Sequence, residues 1–344
     1  MKIRLPLISA LIFAFVVSLP TGLEVEAATV EDFYRGKTIS IYVGSSAGGL
    51  YSTYAQILSN HLGRNIPGNP TVIVEHMPGA GGIKALNFVY NAAPKDGTVL
   101  ATPNSGLTRR YMMGLGAPKY DPLKWNWLGG WGESVYVLTV LDTAPVKTLK
   151  EATQKEAVIG AMNKANPTYT IPTLVNSIAG TKFKIIPGYR GGSRVRLAME
   201  KGEVDGFCCP YISWKSRKPE WVRDGRLVHL IQMASKPSPE LPASVPLLST
   251  FAKNDEQLQM CRFVQSAAED RALVAPPGVP PDRVAALEKA YMATLNDAEF
   301  KAAAAKVNYF IDPVTKEEIL AVVKERMSVS PQFLTNLKKT MGME

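Results

Sequence analysis

Apolar and polar positions alternate along the chain in two rhythms, and the rhythm changes at glycines. From Thr38 to Val43 the residues Ile39, Ile41 and Val43 are apolar, β-branched and two apart, which predicts a strand. Gly44-Ser45-Ser46-Ala47-Gly48-Gly49 follows, and Tyr51, Tyr54, Ala55, Leu58 and Leu62 then recur at helical spacing up to a stop at Gly63. The order strand, glycine loop, helix repeats at once. Thr71 to Glu75 is the strand, Pro78-Gly79-Ala80-Gly81-Gly82 the loop, and Ile83 to Tyr90 begins the helix. Pro94 to Gly97 turns into a third strand, Val99 to Thr102. Strands alternating with helices predict a parallel α/β sheet.

A second set begins near Trp131. Strands are expected from Val135 to Val140, Val158 to Ala161, Lys184 to Pro187, Val204 to Cys208 and Leu227 to Gln232. Between them lie a helix from Thr168 to Gly180, interrupted or started by Pro172, and a helix from Arg194 to Lys201 closed by Gly202. After a proline-rich stretch, Arg271 to Ala275 reads as a strand ending at Pro276-Pro277. The rest is alanine-rich and helical, over Asp282–Leu295, Ala298–Val307 and Lys316–Met327, with Asp282 and Asp297 as N-caps. There is no repeat of solenoid length, although the two halves are similar in style. A single hydrophobic core stops growing near about 250–300 residues, so this chain predicts two lobes.

The first residues carry a different pattern. Lys2 and Arg4 precede an uncharged apolar run from Leu5 to Leu19, and Val25-Glu26-Ala27 has small residues where a secretory leader is cut. Residues 1–27 are therefore expected to be a cleavable signal peptide that exports the protein to the periplasm. The run approaches the length of a membrane anchor, but Pro20 and Gly22 break it. No cysteine near the cut suggests a lipoprotein. No later stretch reaches about 18 consecutive apolar residues.

Charge narrows the partners. The formal net charge is +9 and survives processing, because Lys2, Arg4, Glu24 and Glu26 leave together. A basic protein suits an acidic ligand, nucleic acid or an anionic membrane. With no arginine-rich helix and no interleaving of basic and aromatic residues, nucleic acid is not an expected partner. Cys208, Cys209 and Cys261 make a poor disulfide framework. A bridge from Cys261 to one of the adjacent pair and three buried thiols both remain open. His61, His76 and His229 lie far apart without metal-ligand spacing, so no metal is expected.

The most specific chemical signal is the pair of glycine loops. Each presents backbone N–H groups and the positive end of a helix, which suits an anion. In open α/β sheets such loops lie at the carboxyl ends of strands, where ligands bind. Three enzyme patterns fail. Gly44 and Gly49 have Walker A spacing, but Leu50 and Tyr51 replace the Lys and Ser/Thr. Gly79-Ala80-Gly81 begins a dinucleotide pattern that Lys84 ends. Gly44-Ser45-Ser46-Ala47-Gly48 is a literal G-x-S-x-G, followed in hydrolase order by Asp205 and His229. Ser46, however, follows the first strand, and no earlier strand and loop supplies a second oxyanion donor. A serine hydrolase using Ser46 is thus the weaker reading, and no catalytic residue or cofactor is expected.

Taken in order, several segments resemble the substrate-binding proteins of tripartite tricarboxylate transporters, the Bug receptors. They are Ile39-Ser40-Ile41-Tyr42-Val43, Ala47-Gly48-Gly49, Val74-Glu75-His76-Met77-Pro78-Gly79-Ala80-Gly81-Gly82 and Ala93-Pro94-Lys95-Asp96-Gly97-Thr98. Pro187-Gly188-Tyr189-Arg190-Gly191-Gly192, Gly202-Glu203-Val204-Asp205 and Ala275-Pro276-Pro277-Gly278-Val279-Pro280 are similar to later signatures of the same family. The resemblance implies a two-lobed periplasmic binding protein fold. Each lobe is a mostly parallel sheet flanked by helices, and crossing hinge strands join the two. Residues 28–132 and 262–344 would form lobe 1, and 133–261 lobe 2.

The resemblance also implies a monomeric receptor. It would hold a small organic anion, a carboxylate, and deliver it to integral membrane transporter subunits. A sensor subunit that presents ligand to a signalling partner is the alternative. By the same resemblance the ligand contacts are Ser46, Ala47, Gly48 and Gly49 on the first loop, Gly79, Ala80 and Gly81 on the second, and Asn104 and Ser105 after the third strand. The facing lobe would offer Asn163 to Thr168, Tyr189 with Gly191, and Asp205. Arg190, Arg194 and Arg196 read as a solvated basic face. Two positions and one loop depart from the family, the loop being Asn163-Lys164-Ala165-Asn166-Pro167-Thr168 where members have a glycine-serine-rich one. Ser52 stands where many members have Asp, and Gln56 where they have Arg, which makes Ser52 a candidate for tuning ligand charge.

Overall fold

The computed structural model describes residues 29–343 apart from 49, 105, 163, 165, 266 and 267. The expected signal segment, 1–27, lies outside the described residues. Ten strands carry the fold: β1 Thr38–Val43, β2 Thr71–His76, β3 Val99–Thr102, β4 Asn126–Gly130, β5 Tyr136–Leu141, β6 Ala157–Gly160, β7 Phe183–Ile186, β8 Gly206–Pro210, β9 Leu227–Met233 and β10 Ala272–Ala275.

They form two five-stranded sheets, ordered β2-β1-β3-β10-β4 and β7-β6-β8-β5-β9. In each sheet four strands run one way and one is reversed, β10 in the first and β5 in the second. The reversed strand is in each case the first to arrive from the other lobe. The two lobes thus share one topology, with a mostly parallel sheet in each and the chain crossing between them. No helix among the described residues is long and apolar enough to cross a membrane.

Period-two alternation divides the core of each lobe into two layers, because successive strand side chains point to opposite faces. Ile39, Ile41, Val43, Leu100, Leu128 and Leu273 pack with the helices Leu50–Leu62 and Pro281–Asn296. Ala101, Trp127, Ala272 and Val274 face the helices Ile83–Asn91 and Lys316–Met327. In lobe 2, Leu138, Val140, Ile159 and Cys208 cover the helix Pro167–Ala179. Val137, Phe207 and Cys209 cover the helix Gly192–Glu200 together with Trp214.

One strand, β4, was not expected, and three local expectations change. β4 carries no clear period because Gly129 and Gly130 close it. A Cβ on Gly129 would lie 2.7 Å from the Met292 sulfur, so glycine is needed there for a close approach. β8 starts two residues later than its apolar run. Asp205 is tied to Val158 twice, through its amide to the carbonyl and through its carboxylate to the N–H, each at 2.7 Å. Asp282 is no N-cap, since Pro280 stands there; Asp297 does cap the next helix and accepts from the Phe300 N–H at 2.8 Å. Finally, residues 262–344 do not all lie with lobe 1. The helix Pro331–Thr340 returns to place Phe333 and Leu337 in the lobe 2 core, which Phe263 and Val264 also enter. All three cysteines are free and buried.

Candidate functional site

The two glycine loops come together at the carboxyl ends of β1 and β2. They touch so closely that a Cβ on Gly44 would lie 2.3 Å from Gly82 Cα. The second loop is left-handed at Ala80 (φ 45°), Gly81 (φ 66°) and Gly82 (φ 100°). Its glycines also admit two side chains from the segment after β3. A Cβ on Gly82 would meet the Asn104 amide at 2.7 Å, and one on Gly81 would meet Arg110 Nη1 at 2.2 Å. Asn104 Nδ2 donates to the Gly81 carbonyl at 2.9 Å, and Arg110 Nη1 reaches the Ala80 carbonyl at 3.4 Å.

Arg110 projects from the helix Leu107–Met112, which is anchored at the hinge. Asp270 there accepts from the Gly106 N–H at 3.1 Å, and Glu269 accepts from Thr108 and pairs with Arg326. Both acids are fully buried. The crossing into β10 is therefore bonded to the segment that presents Arg110.

Between the lobes lies a cavity of about 510 Å³, within the range of small-molecule sites. Lobe 1 contributes Gly48, Leu50, Tyr51, Asn104 and Arg110, and Tyr136 at the start of β5 lies beside the hinge. Lobe 2 contributes Met162 and Asn166 to Thr168, then Gly192, Ser193 and Arg196, then Phe207, Cys209 and Pro210, then Ser213 and Arg217. The helices Leu50–Leu62, Pro167–Ala179 and Gly192–Glu200 all start at this wall. The positive ends of their dipoles thus meet the cavity.

Three guanidinium groups border the cavity, and no carboxylate does so among the described residues. None of Arg110, Arg196 and Arg217 has an acidic partner within ion-pair distance among the described residues. Arg217 is exposed, and its Nη2 donates to the Gly48 carbonyl at 3.0 Å, joining lobe 2 to the first glycine loop. Arg196 is only 8% exposed. Its one polar contact among those resolved here is Nη1 to Ser213 Oγ, 3.2 Å. Burial pushes its pKa down and the positive charge of Arg217 acts in the same direction, while Cys209 and Glu200 oppose the shift. A wall of this composition can receive an anion.

The expected contacts divide into three groups. Gly48, Asn104 and Thr168 line the cavity. Ser46 and Ala47 are exposed on the loop beside it, and Gly79, Ala80 and Gly81 form the floor under Arg110. Thr168 also braces its own loop, accepting from the Met162 N–H at 3.0 Å. Gly191 (φ 147°) starts the Gly192–Glu200 helix, with no side chain capping it.

Other positions turn away from the cavity. Ser52 is buried and bonded to His76 Nε2 at 2.8 Å. Tyr189 packs beside Gly160, and Asp205 is spent on Val158. Gly49, Ser105 and Asn163 lie outside the described residues. The hydrolase triad is not assembled. Asp205 and His229 belong to lobe 2, where His229 pairs with Thr139 Oγ1 at 2.9 Å and meets the Tyr211 ring edge-on.

Sequence reasoning missed all three arginines. Arg190 and Arg194 are indeed exposed, but Arg196 is not solvated. The signal was helical phase, since Val195, Ala198 and Met199 mark the buried side and Arg196 lies among them. Arg110 and Arg217 carried no such mark.

Residues 58–319 match the family described as the tripartite tricarboxylate transporter family receptor. A Cupriavidus necator protein described as the UPF0065 protein in gbd 5'region is 28% identical over 293 residues, covering 80% of each chain. A TctC solute-binding protein from Polaromonas, without ligand, superposes with a TM-score of 0.68 at 20% identity, covering 90% of this chain and 100% of its own. An R. palustris protein with adipate gives 0.63 at 16%, covering 89% and 97%. MatC from Rhodopseudomonas palustris with bound malate gives 0.62 at 19%, covering 89% and 99%. At these identities the likeness to solved structures is one of fold.

Proposed function

The chain belongs to the tripartite tricarboxylate transporter receptor family, a family of solute-binding receptors and not of enzymes, and from that premise we propose that it captures a small organic carboxylate between its lobes in the periplasm and delivers it to the membrane subunits of a transporter. The observation that carries this reading is the cavity of about 510 Å³ bordered by Arg110, Arg196 and Arg217 with no acidic lining residue among those described. Guanidinium groups match carboxylates in shape and charge, donating two parallel hydrogen bonds. The helix ends and backbone N–H groups of the glycine loops add to the same field. Malate and adipate, held by two proteins of the same fold, are acids of the proposed kind.

Delivery requires that the loaded state differ from the empty one, and a ligand touching both lobes would favour closure. Arg110 from one lobe and Arg196 from the other supply such contacts. The test is thermal melting against mono-, di- and tricarboxylates. An acid present at one hundred times its Kd adds about 2.7 kcal/mol to the folded state and raises the melting temperature measurably. A broad panel that leaves the curve unmoved refutes the carboxylate reading.

A further inference from the structure

Two features set Arg196 apart on the cavity wall. It is a largely buried guanidinium that lines the cavity, and its Nη1 donates to a neutral partner, the Ser213 hydroxyl. Burial disfavours a charge in that position, and the field of Glu200 on the same helix offsets this only in part. Its side chain also curls back along its own helix, so that a Cβ on Gly192, the first residue of that helix, would lie 3.2 Å from Arg196 Nη1. A cation is thereby held at the positive end of a helix dipole, the wrong end for it. A cation placed against these local preferences marks a functional position, and an anion in the cavity would complement it.

Arg110 serves the opposite lobe. It lies over the second glycine loop, and Tyr51, Tyr136 and Phe207 contribute apolar surface to the cavity between the two arginines. We infer that Arg196 is a specificity-determining residue. Its guanidinium receives a second anionic group of the ligand while the lobe 1 loops and Arg110 hold the first, so the cleft selects acids with two negative charges over acids with one. The inference rests on the carboxylate-receptor reading and adds to it which residue sorts the acids.

The test uses straight-chain dicarboxylates of four to eight carbons and the monomethyl ester of each, titrated by calorimetry into the whole protein. The ester keeps length and shape and removes one charge. The wild type should bind the best diacid at least about tenfold more tightly than its ester, and Arg196→Gln should reduce that preference to within about threefold. Arg196→Lys, which keeps the charge but not the fork, should retain part of it. Without ligand, Arg196→Gln should melt at or above the wild-type temperature, because an unmatched buried charge has gone.

Equal binding of diacid and ester by the wild type overturns the inference while leaving the receptor reading intact. So does a preference unchanged in Arg196→Gln, or a ligand-free melting temperature that falls, which marks the guanidinium as structural. Wild-type protein that binds neither acids nor esters overturns the receptor reading itself.

Discussion

Gly44→Ala tests how the site is built, because it adds one methyl group at the point where the two glycine loops touch. Gly44 does not have a positive φ, so alanine fits its backbone conformation. The cost is contact alone. The new Cβ would lie 2.3 Å from Gly82 Cα and 3.0 Å from the Gly82 carbonyl oxygen, both backbone atoms that cannot swing aside. Two carbons sit in favourable contact at about 3.5 Å or more, so the loops must part by roughly 1 Å. Overpacking of this kind costs about 1–3 kcal/mol. The displaced loop also carries the carbonyls that hold Asn104 and Arg110.

Loss of one charge-assisted hydrogen bond to the ligand is worth about 1.5–3 kcal/mol, or roughly tenfold to a hundredfold in affinity. Urea titration and calorimetry on the variant would read both effects. Gly48→Ala is the contrasting control. Gly48 has φ +75° and nothing within 4 Å of an added Cβ, so alanine there brings backbone strain of about 1–2 kcal/mol without crowding the second loop. If Gly44→Ala leaves stability and affinity within experimental error of the wild type, the loops are not packed as described.

Three further outcomes are expected. His229 is held neutral by burial, its pKa lowered to about 4 from an ordinary value of 6.5. The unfolded chain therefore takes up a proton between about pH 6.5 and pH 4 that the folded chain refuses, and stability should fall through that window as pH drops. The fall is on the order of 2 kcal/mol by pH 5; His229→Gln should flatten it, and an unchanged pH profile in that variant would count against a buried neutral imidazole. Burial pushes the Cys209 and Cys261 thiols up to about 12. Iodoacetamide should leave the native protein unlabelled and modify three cysteines after denaturation, whereas fewer than three without reductant would reveal a disulfide. Ser46→Ala should keep ligand affinity within about tenfold, since Ser46 is exposed and has no triad; esterase activity that disappears in this variant would restore the hydrolase reading.

Much of the fold is legible in the sequence because period-two strands and glycine stops are local signals. β1 and β3 occupy the expected residues, and so does the helix Lys316–Met327. β4 was not legible, since Asn126-Trp127-Leu128-Gly129-Gly130 has the composition of a turn and becomes a strand only beside β10. The terminal helix was equally hidden. Its apolar face is evident only when the lobe 2 core is there to receive Phe333 and Leu337. The glycine loops suggest an anion site through their spacing, yet the charges facing them come from distant segments. Arg110, Arg196 and Arg217 converge through the crossing of the chain between lobes, and no short window of sequence contains that convergence. Ser52 and Asp205 show the opposite error, being well placed by motif and turned elsewhere by His76 and Val158.

If the cleft encloses a small organic acid, freshly purified protein should release it on denaturation, and mass spectrometry would identify it. One species is expected at up to one molecule per chain, an organic acid that restores the wild-type melting temperature when added back to stripped protein; two carboxylates on it would also support the role given to Arg196. A neutral sugar, a cationic amine or a peptide released at the same stoichiometry, and rebound by stripped protein, would contradict the organic-acid reading.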